Sequence, residues 1–242
     1  MFYTHRSPDK ETVNEDSLGL VDIAPDTSVL MVADGLGGQP GGATASEIAI
    51  KALTRSLARA DSTPREAILE GFDRANHRIM DSGTGAATTL AVVEIQANQL
   101  RPYHVGDSMI VATGQRGKQK LFTVSHSPVG YAVEAGFLNE EEAIYHEERH
   151  LISNVVGAED MNISMGSLVT LAPRDTLLLA SDGLFDNLYY EEIVALIRKG
   201  PLQAAAHRLV ELAHNRMARR DPGQPCHPDD LSFILYRPQS GR

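Results

Sequence analysis

Residues 32–38 read Val-Ala-Asp-Gly-Leu-Gly-Gly, where a strand-like apolar run ends in Asp34 followed by glycine. The same pattern recurs in Leu-Ala-Ser-Asp-Gly-Leu-Phe-Asp (179–186), where the aspartate is Asp182. A third aspartate, Asp229, comes just before the apolar run Leu-Ser-Phe-Ile-Leu. Carboxylates at strand ends can converge on one point of a sheet sandwich, where hard cations make a dense cluster tolerable. The pattern therefore predicts a divalent metal site, and such a site favours hydrolysis.

The alternative interpretation of these motifs is that each is only a turn, because Asp-Gly is a common turn dipeptide. Two such pairs after matching strands, with an Asp-Asp before the last strand, favour metal binding instead. Sites built from oxygen ligands suit Mg²⁺ or Mn²⁺. The glycine after each aspartate lets the backbone approach closely, and the Gly35 carbonyl could itself be a ligand. Asp16 precedes a strand and could add a fourth carboxylate.

Length and charge exclude several classes of protein. The chain has 242 residues, which fits one domain over residues 1–242. Its net charge of −10 argues against nucleic acid or an anionic membrane as partner. The single cysteine, Cys226, cannot form an internal disulfide and fits a reducing compartment. Because neither an apolar leader nor a membrane-length apolar run is present, we expect a cytoplasmic protein.

Hydrophobic periodicity predicts the order of secondary structure. Predicted strands cover 17–21, 27–33, 88–95, 99–105, 108–113, 167–171, 176–180 and 231–236, and predicted helices cover 43–59, 64–81, 190–198 and 201–218. A polar hairpin turn is expected at 115–120, and two short helices within 127–150. Strands and helices are segregated, which favours an α+β fold over a parallel βαβ sheet. We expect two antiparallel sheets face to face, each covered by a pair of helices.

Six motifs together resemble the metal-dependent Ser/Thr protein phosphatases of the PPM, or type 2C, family, and the bacterial members in particular. They are Asn-Glu-Asp at 14–16, Asp-Gly-Leu-Gly-Gly at 34–38, Gly-Ala-Ala-Thr-Thr-Leu at 85–90, Val-Gly-Asp-Ser at 105–108, Ser-Asp-Gly-Leu-Phe-Asp at 181–186 and Asp-Asp-Leu-Ser at 229–232. They occur in the family's order and span nearly the whole chain. The resemblance implies a four-layer αββα sandwich with two Mn²⁺ or Mg²⁺ ions at one end.

The resemblance also implies the ligands of the two ions. Asp34 would bridge both. The other ligands would be Asp182 and Asp229 on one ion, and on the other the Gly35 carbonyl with Asp16 or Glu15, largely through water. A metal-bound water would attack the phosphate, so no protein nucleophile is implied.

Further positions within the motifs are interpreted in the same way. Asp107 matches the residue that helps to hold a weaker third ion in bacterial members, with a β-turn as the alternative. Asp186 fits a helix cap, or a residue that supports the ligands without binding metal itself, better than a ligand. Asp230 stands where the family usually has Asn and is interpreted as structural. Thr88 and Thr89 are expected to form strand core and sheet hydrogen bonds.

Phosphate recognition is where the sequence departs from the family. Many members have a phosphate-binding Arg at the position of Glu11; Arg6 and Lys10 are nearby, and Arg6 is the candidate. Many members also have a His in or after the first Asp-Gly motif, where this chain has Leu36 and Gln39. The proton for the leaving group would then come from a metal-bound water or from another histidine.

The region 125–160 matches the family's flap, which is expected to tune substrate choice. Its acidic helices could attract basic peptides, or could be only a solvated surface. The resemblance implies that the protein hydrolyses phosphorylated proteins. Its substrates would be products of a Ser/Thr kinase, and the protein is expected to be a monomer. Two alternatives remain: a catalytically weak member that acts as a regulatory binding module, suggested by Glu11 and Gln39, and a hydrolase of another phosphoester such as a nucleotide.

Overall fold

The computed structural model describes residues 1–8, 10–36, 41–59, 62–219, 221 and 223–238. The predictions for Gly37, Gly38 and Gln39 lie outside these residues. Within them, no helix is both long enough and apolar enough to cross a membrane.

The elements follow one another along the chain in this order. The first half contains β1 (Phe2–His5), β2 (Ser17–Ala24), β3 (Thr27–Ala33), β4 (Gly35–Leu36), α1 (Gly41–Leu57), α2 (Pro64–Asp81), β5 (Ala87–Thr88), β6 (Leu90–Gln96), β7 (Gln99–Val105) and β8 (Met109–Thr113). The second half contains β9 (Gln119–Phe122), α3 (Pro128–Glu134), α4 (Glu140–Ile144), β10 (Ser164–Met165), β11 (Val169–Thr170), β12 (Thr176–Ala180), α5 (Asp182–Phe185), α6 (Tyr190–Ile197), α7 (Leu202–Arg219) and β13 (Leu231–Tyr236).

The strands form two sheets. One has the order β1-β13-β12-β8-β9 and the other β10-β7-β6-β3-β2, with β11 also paired to β7. A short ribbon, β4-β5, stands apart from both. The described pairings are antiparallel. This confirms the predicted antiparallel arrangement.

Three apolar layers hold the sandwich together. Side chains of β3, β6, β7, β8, β12 and β13 pack between the two sheets. Helices α1 and α2 cover the outer face of the β3 sheet, and α6 and α7 cover that of the β12 sheet. The predicted αββα architecture is confirmed. The extent of the domain, residues 1–242, stays a prediction.

Strand β3 shows why the first motif begins where it does. It is central and covered on both faces, so its residues are apolar without alternation. Val29, Met31 and Ala33 face the helices, while Leu30 and Val32 face the other sheet. Asp34, which follows β3 directly, therefore lies at one end of the sandwich.

The differences from the predicted elements are concentrated at sheet edges. Strand β1 and strand β9 were not predicted, and β2 continues to Ala24, beyond the predicted 17–21. The predicted strand 167–171 is reduced to Val169–Thr170. Edge strands pair on one side only and are partly exposed, so they lack the apolar pattern that identifies central strands.

Candidate metal centre

The backbone of Asp34, between β3 and β4, is fixed by two threonines. Thr88 Oγ1 and the Thr89 amide donate to the Asp34 carbonyl at 2.7 and 2.8 Å. The Asp34 amide donates to Thr89 Oγ1 at 3.0 Å. Both threonines are fully buried, as their expected role in the strand core requires. These bonds occupy the backbone groups of Asp34 and do not involve its carboxylate.

Gly35 lies where only glycine fits. A Cβ atom there would stand 2.2 Å from the Gly42 carbonyl oxygen and 2.8 Å from that of Glu15. The Gly35 amide donates to the Glu15 carbonyl at 3.2 Å. The backbone of Gly35 is therefore packed against Gly42, at the start of α1, and against Glu15 of the Asn-Glu-Asp motif.

Asp182 does not lie in a turn but begins the short helix α5, with Ser181 at the N-cap position. Ser181 Oγ donates to Asp16 Oδ2 at 3.0 Å, which links the end of β12 to the start of β2. A Cβ on Gly183 would stand 2.0 Å from the Asp230 carbonyl oxygen. The second Asp-Gly motif is therefore packed directly against the third aspartate motif.

Five aspartates from distant segments come together: Asp16, Asp34, Asp107, Asp182 and Asp229. Burial, then the charges of the four others, raises the pKa of Asp34 well above its ordinary value. The pKa of Asp182 is also raised well above its ordinary value, by burial and then by the charges of Asp229 and Asp107. The Asp182 side chain is hydrogen-bonded to Asp34. Burial first, opposed by hydrogen bonds and reinforced by neighbouring carboxylates, raises the pKa of Asp16 to about 7. We call these five residues the acidic cluster.

Free oxygens in the acidic cluster fit divalent cations. Asp16 Oδ1, Asp107 Oδ1 and Asp182 Oδ1 are buried and have no hydrogen-bond partner among the described residues. No three His, Cys, Asp or Glu side chains of the described residues already surround one point as a finished ligand set. Backbone carbonyls and water would complete the shell of a bound cation. The donor chemistry is that of Mg²⁺ or Mn²⁺.

Asp230, beside the acidic cluster, is a buried anion with a full set of donors. Its Oδ1 accepts from the Ser7 amide at 2.9 Å, and its Oδ2 from the Glu15 amide at 2.8 Å. Lys10 Nζ lies 2.8 Å from both Asp230 Oδ2 and Glu15 Oε2. Burial would lower the pKa of Lys10, but these two partners outweigh it and raise the pKa. We call this group the Asp230 hub, and it agrees with the structural role predicted for Asp230.

The Asp230 hub distinguishes between Asp16 and Glu15 as the carboxylate ligand expected beside the Gly35 carbonyl. Glu15 is engaged by Lys10, whereas Asp16 keeps an unpartnered oxygen, so the geometry favours Asp16. Arg6 is exposed and its Nη1 donates to the carbonyls of Glu11 and Thr12 at 3.3 and 3.4 Å. The described residues show no hydrogen bond between Arg6 and the acidic cluster. Its role in binding phosphate stays a prediction.

A histidine that no motif singled out supports the Asp107 turn. His126 Nδ1 accepts from the Gly106 amide at 3.1 Å and from Asn154 Nδ2 at 2.9 Å. Its Nε2 must therefore carry the proton and donate to Ser164 Oγ at 2.8 Å. Burial and the neighbouring His104 lower the pKa of His126 to about 4, so the ring is neutral. It joins both ends of the flap to the turn before Asp107.

The flap also contacts the cap residues of α5 and α6. The hydroxyls of Tyr145 and Tyr189 are 2.7 Å apart. Arg149 Nε lies 3.5 Å from Asp186 Oδ2. Asp186 itself caps the C-terminus of α5, where its amide donates to the Asp182 carbonyl. The predicted helix-cap role thus applies to the end of a helix rather than to its start.

Comparison with known proteins gives consistent results. The family model for protein phosphatase 2C matches residues 5–219. Protein phosphatase PhpP of Streptococcus pneumoniae is 31% identical over 217 residues, covering 85% of this chain and 87% of that protein. A serine/threonine phosphatase of S. agalactiae superposes with a TM-score of 0.83 at 27% identity, over 98% of each chain. The catalytic domain of the serine/threonine protein phosphatase PstP, in complex with two manganese ions, superposes with a TM-score of 0.76 at 25% identity, over 97% of this chain and 95% of that one.

Proposed function

This chain belongs to the protein phosphatase 2C family and is a protein-serine/threonine phosphatase, and we propose that it hydrolyses phosphoserine and phosphothreonine in proteins with two divalent ions, Mn²⁺ or Mg²⁺. The observation that carries the metal assignment is the acidic cluster, in which three buried carboxylate oxygens are left without a partner among the described residues. A binuclear ligand set needs such oxygens from several segments of one chain.

The proposed ligands are those the resemblance implies. Asp34 would bridge the two ions. The remaining ligands would be Asp182 and Asp229 on one ion, the Gly35 carbonyl and Asp16 on the other, and Asp107 with Asp182 on a weaker third ion. Bound ions would supply a nucleophilic water and offset the negative charge of the phosphoryl group.

The chain's own residues position this site. Thr88 and Thr89 fix the Asp34 backbone from both sides. Ser181 orients Asp16 by donating to its Oδ2 and leaves Oδ1 free. Fixing these groups in advance limits the rearrangement that ion binding requires, which is how a rigid scaffold contributes to catalysis.

The direct test is release of phosphate from a phosphothreonine peptide with Mn²⁺, compared with the same reaction in EDTA. Asp34→Asn should lower kcat by orders of magnitude, because it removes the charge shared by both ions. Asp73→Asn, at an exposed position on α2, is the matched control and should leave kcat unchanged. Full turnover by Asp34→Asn would reject the ligand assignment.

The binding-module alternative is not favoured, because the relatives are phosphatases and the carboxylate set is complete in this chain. Calorimetric Mn²⁺ binding without hydrolysis of phosphopeptides or p-nitrophenyl phosphate would revive it.

We further propose that the substrates are products of a Ser/Thr kinase and that the enzyme acts as a cytoplasmic monomer. The lone Cys226 supports a reducing compartment. Light scattering at working concentration tests the oligomeric state.

A further inference from the structure

A cleft of about 820 Å³ opens beside the acidic cluster. Asp107 and Asp182 line one part of it. Its walls are the flap, through α3 and α4, and the segment that carries α5 and α6. A polypeptide whose phosphoryl group reached the acidic cluster would therefore have room for its neighbouring residues here.

Aromatic rings form an apolar surface in the cleft. The Phe122 ring lies 4.8 Å from that of Tyr190 and 6.4 Å from that of Phe185, measured between centroids. Val129 and Ile144 of the flap also line the cleft. Such a surface takes the aliphatic stem of a long side chain, whose charged end must then find a partner at the rim.

The rim of the cleft is acidic. Glu140 of α4 and Glu191 of α6 both line it, and neither forms an ion pair within the described part of the chain. Burial and then the charge of Glu191 raise the pKa of Glu140, which accords with the place of both residues in the lining of one cleft. The buried Tyr190 hydroxyl has no hydrogen-bond partner among the described residues.

Other charges along the cleft do not neutralise these two. Arg149 also lines the cleft, but it is paired with Asp186. Glu192 is paired with Arg216 at 2.5 Å. The opening therefore keeps uncompensated negative charge beside a hydroxyl that can accept a hydrogen bond.

We propose that this cleft binds the polypeptide that flanks the phosphorylated residue and that it selects a basic side chain there, held between Glu140 and Glu191 with its stem on Phe122 and Tyr190. An arginine suits the site better than a lysine, because its planar head can stack on the Tyr190 ring and donate to two carboxylates together. The proposal rests on the proposed phosphatase function and adds the chemistry of the substrate sequence.

The test compares phosphothreonine peptides that carry arginines on both sides of the phosphosite with peptides that carry alanines. The wild-type protein should have a higher kcat/KM for the arginine peptide. In the double variant Glu140→Gln/Glu191→Gln this preference should fall about tenfold, which corresponds to ~1.4 kcal/mol. Hydrolysis of p-nitrophenyl phosphate should not change, because that substrate has no flanking residues.

The matched control is Glu147→Gln/Glu148→Gln, which makes the same charge change on exposed flap residues outside the cleft. It should keep the preference. The proposal is overturned if wild type shows no preference, if the cleft variant keeps it, or if the control loses it equally.

A second readout does not depend on turnover. The two peptides are titrated against Asp34→Asn protein and followed by fluorescence anisotropy. Equal affinities overturn the cleft proposal, and tighter binding of the arginine peptide that weakens with salt supports it. Absence of all hydrolysis in the presence of Mn²⁺ would instead overturn the proposed function, so the two failures are distinguishable.

Discussion

Replacing Lys10 by methionine should destabilise the protein by about 3 kcal/mol, because it removes the cation of the Asp230 hub. Removing one partner of a buried ion pair costs about 3–5 kcal/mol, since the other charge stays buried without compensation. The Asp230 side chain is 2% exposed and cannot turn to solvent, whereas Lys10 is 25% exposed, so water replaces part of its contribution. Two backbone amides also remain on Asp230, and these place the expected cost at the lower end.

Urea unfolding followed by circular dichroism measures this free energy. The control is Lys51→Met, which breaks an exposed ion pair with Glu47 one turn away on α1 and should cost ~0.5 kcal/mol or less. The double variant Lys10→Met/Asp230→Asn should recover part of the loss, because a neutral amide needs no counter-ion and its oxygen still accepts from one backbone amide, although Glu15 stays without its cation. A single variant within ~1 kcal/mol of wild type, or a double variant no more stable than the single one, would refute the reasoning.

Three further predictions concern the acidic cluster and the turn beside it. The metal-free protein should lose stability as pH rises from about 4 through about 7, the raised pKa of Asp16 and of Asp107, because a carboxyl whose pKa is raised on folding stabilises the protein only while protonated. The lowered pKa of His126 opposes this loss, but the raised carboxyls of the acidic cluster outnumber it, and thermal unfolding in EDTA checks the net fall. Saturating Mn²⁺ should remove most of this dependence. Gly35→Ala should abolish both Mn²⁺ binding and activity, since its Cβ would overlap the Gly42 carbonyl; calorimetry measures the binding. His126→Phe should cost about 1–3 kcal/mol in urea unfolding, because it leaves the Gly106 amide unpaired.

Each of these has a control and a contrary outcome. An EDTA-treated protein that is equally stable at pH 5 and pH 8 would contradict the first. Gly114→Ala, whose Cβ would make only ordinary contacts, should be tolerated, and equal loss in both glycine variants would point to a general effect of the added methyl group. His207→Phe, at an exposed position on α7, should be neutral, and a similar cost there would remove the role assigned to His126.

The sequence predicted the features that are encoded locally. The apolar run of β3 and the helical periodicity of residues 64–81 identify β3 and α2 within a few residues. Asp34 and Asp182 were found because each follows a buried strand, and strand ends are where a sandwich gathers side chains.

What was missed depends on contacts between distant segments. The Lys10 and Asp230 pair is distant in sequence, and its existence follows from where the first loop meets β13. The donation of Thr88 to Asp34 depends on the register of β4 and β5. His126 has no local motif at all. Nothing in a single sequence fixes these relative positions until the two sheets are packed.

The position of β13 in its sheet affects how the protein can fold during synthesis on the ribosome. This strand lies between β1 and β12, although it is the last described strand to be synthesised. A nascent chain that ends before Leu231 therefore holds two unjoined parts of one sheet, with unsatisfied backbone edges facing each other. One that ends before Asp229 also lacks one of the carboxylates proposed as metal ligands. We therefore expect phosphatase activity only after β13 has been inserted between β1 and β12. Until then, the unpaired strand edges of the nascent chain can pair with other strands and cause misfolding or aggregation.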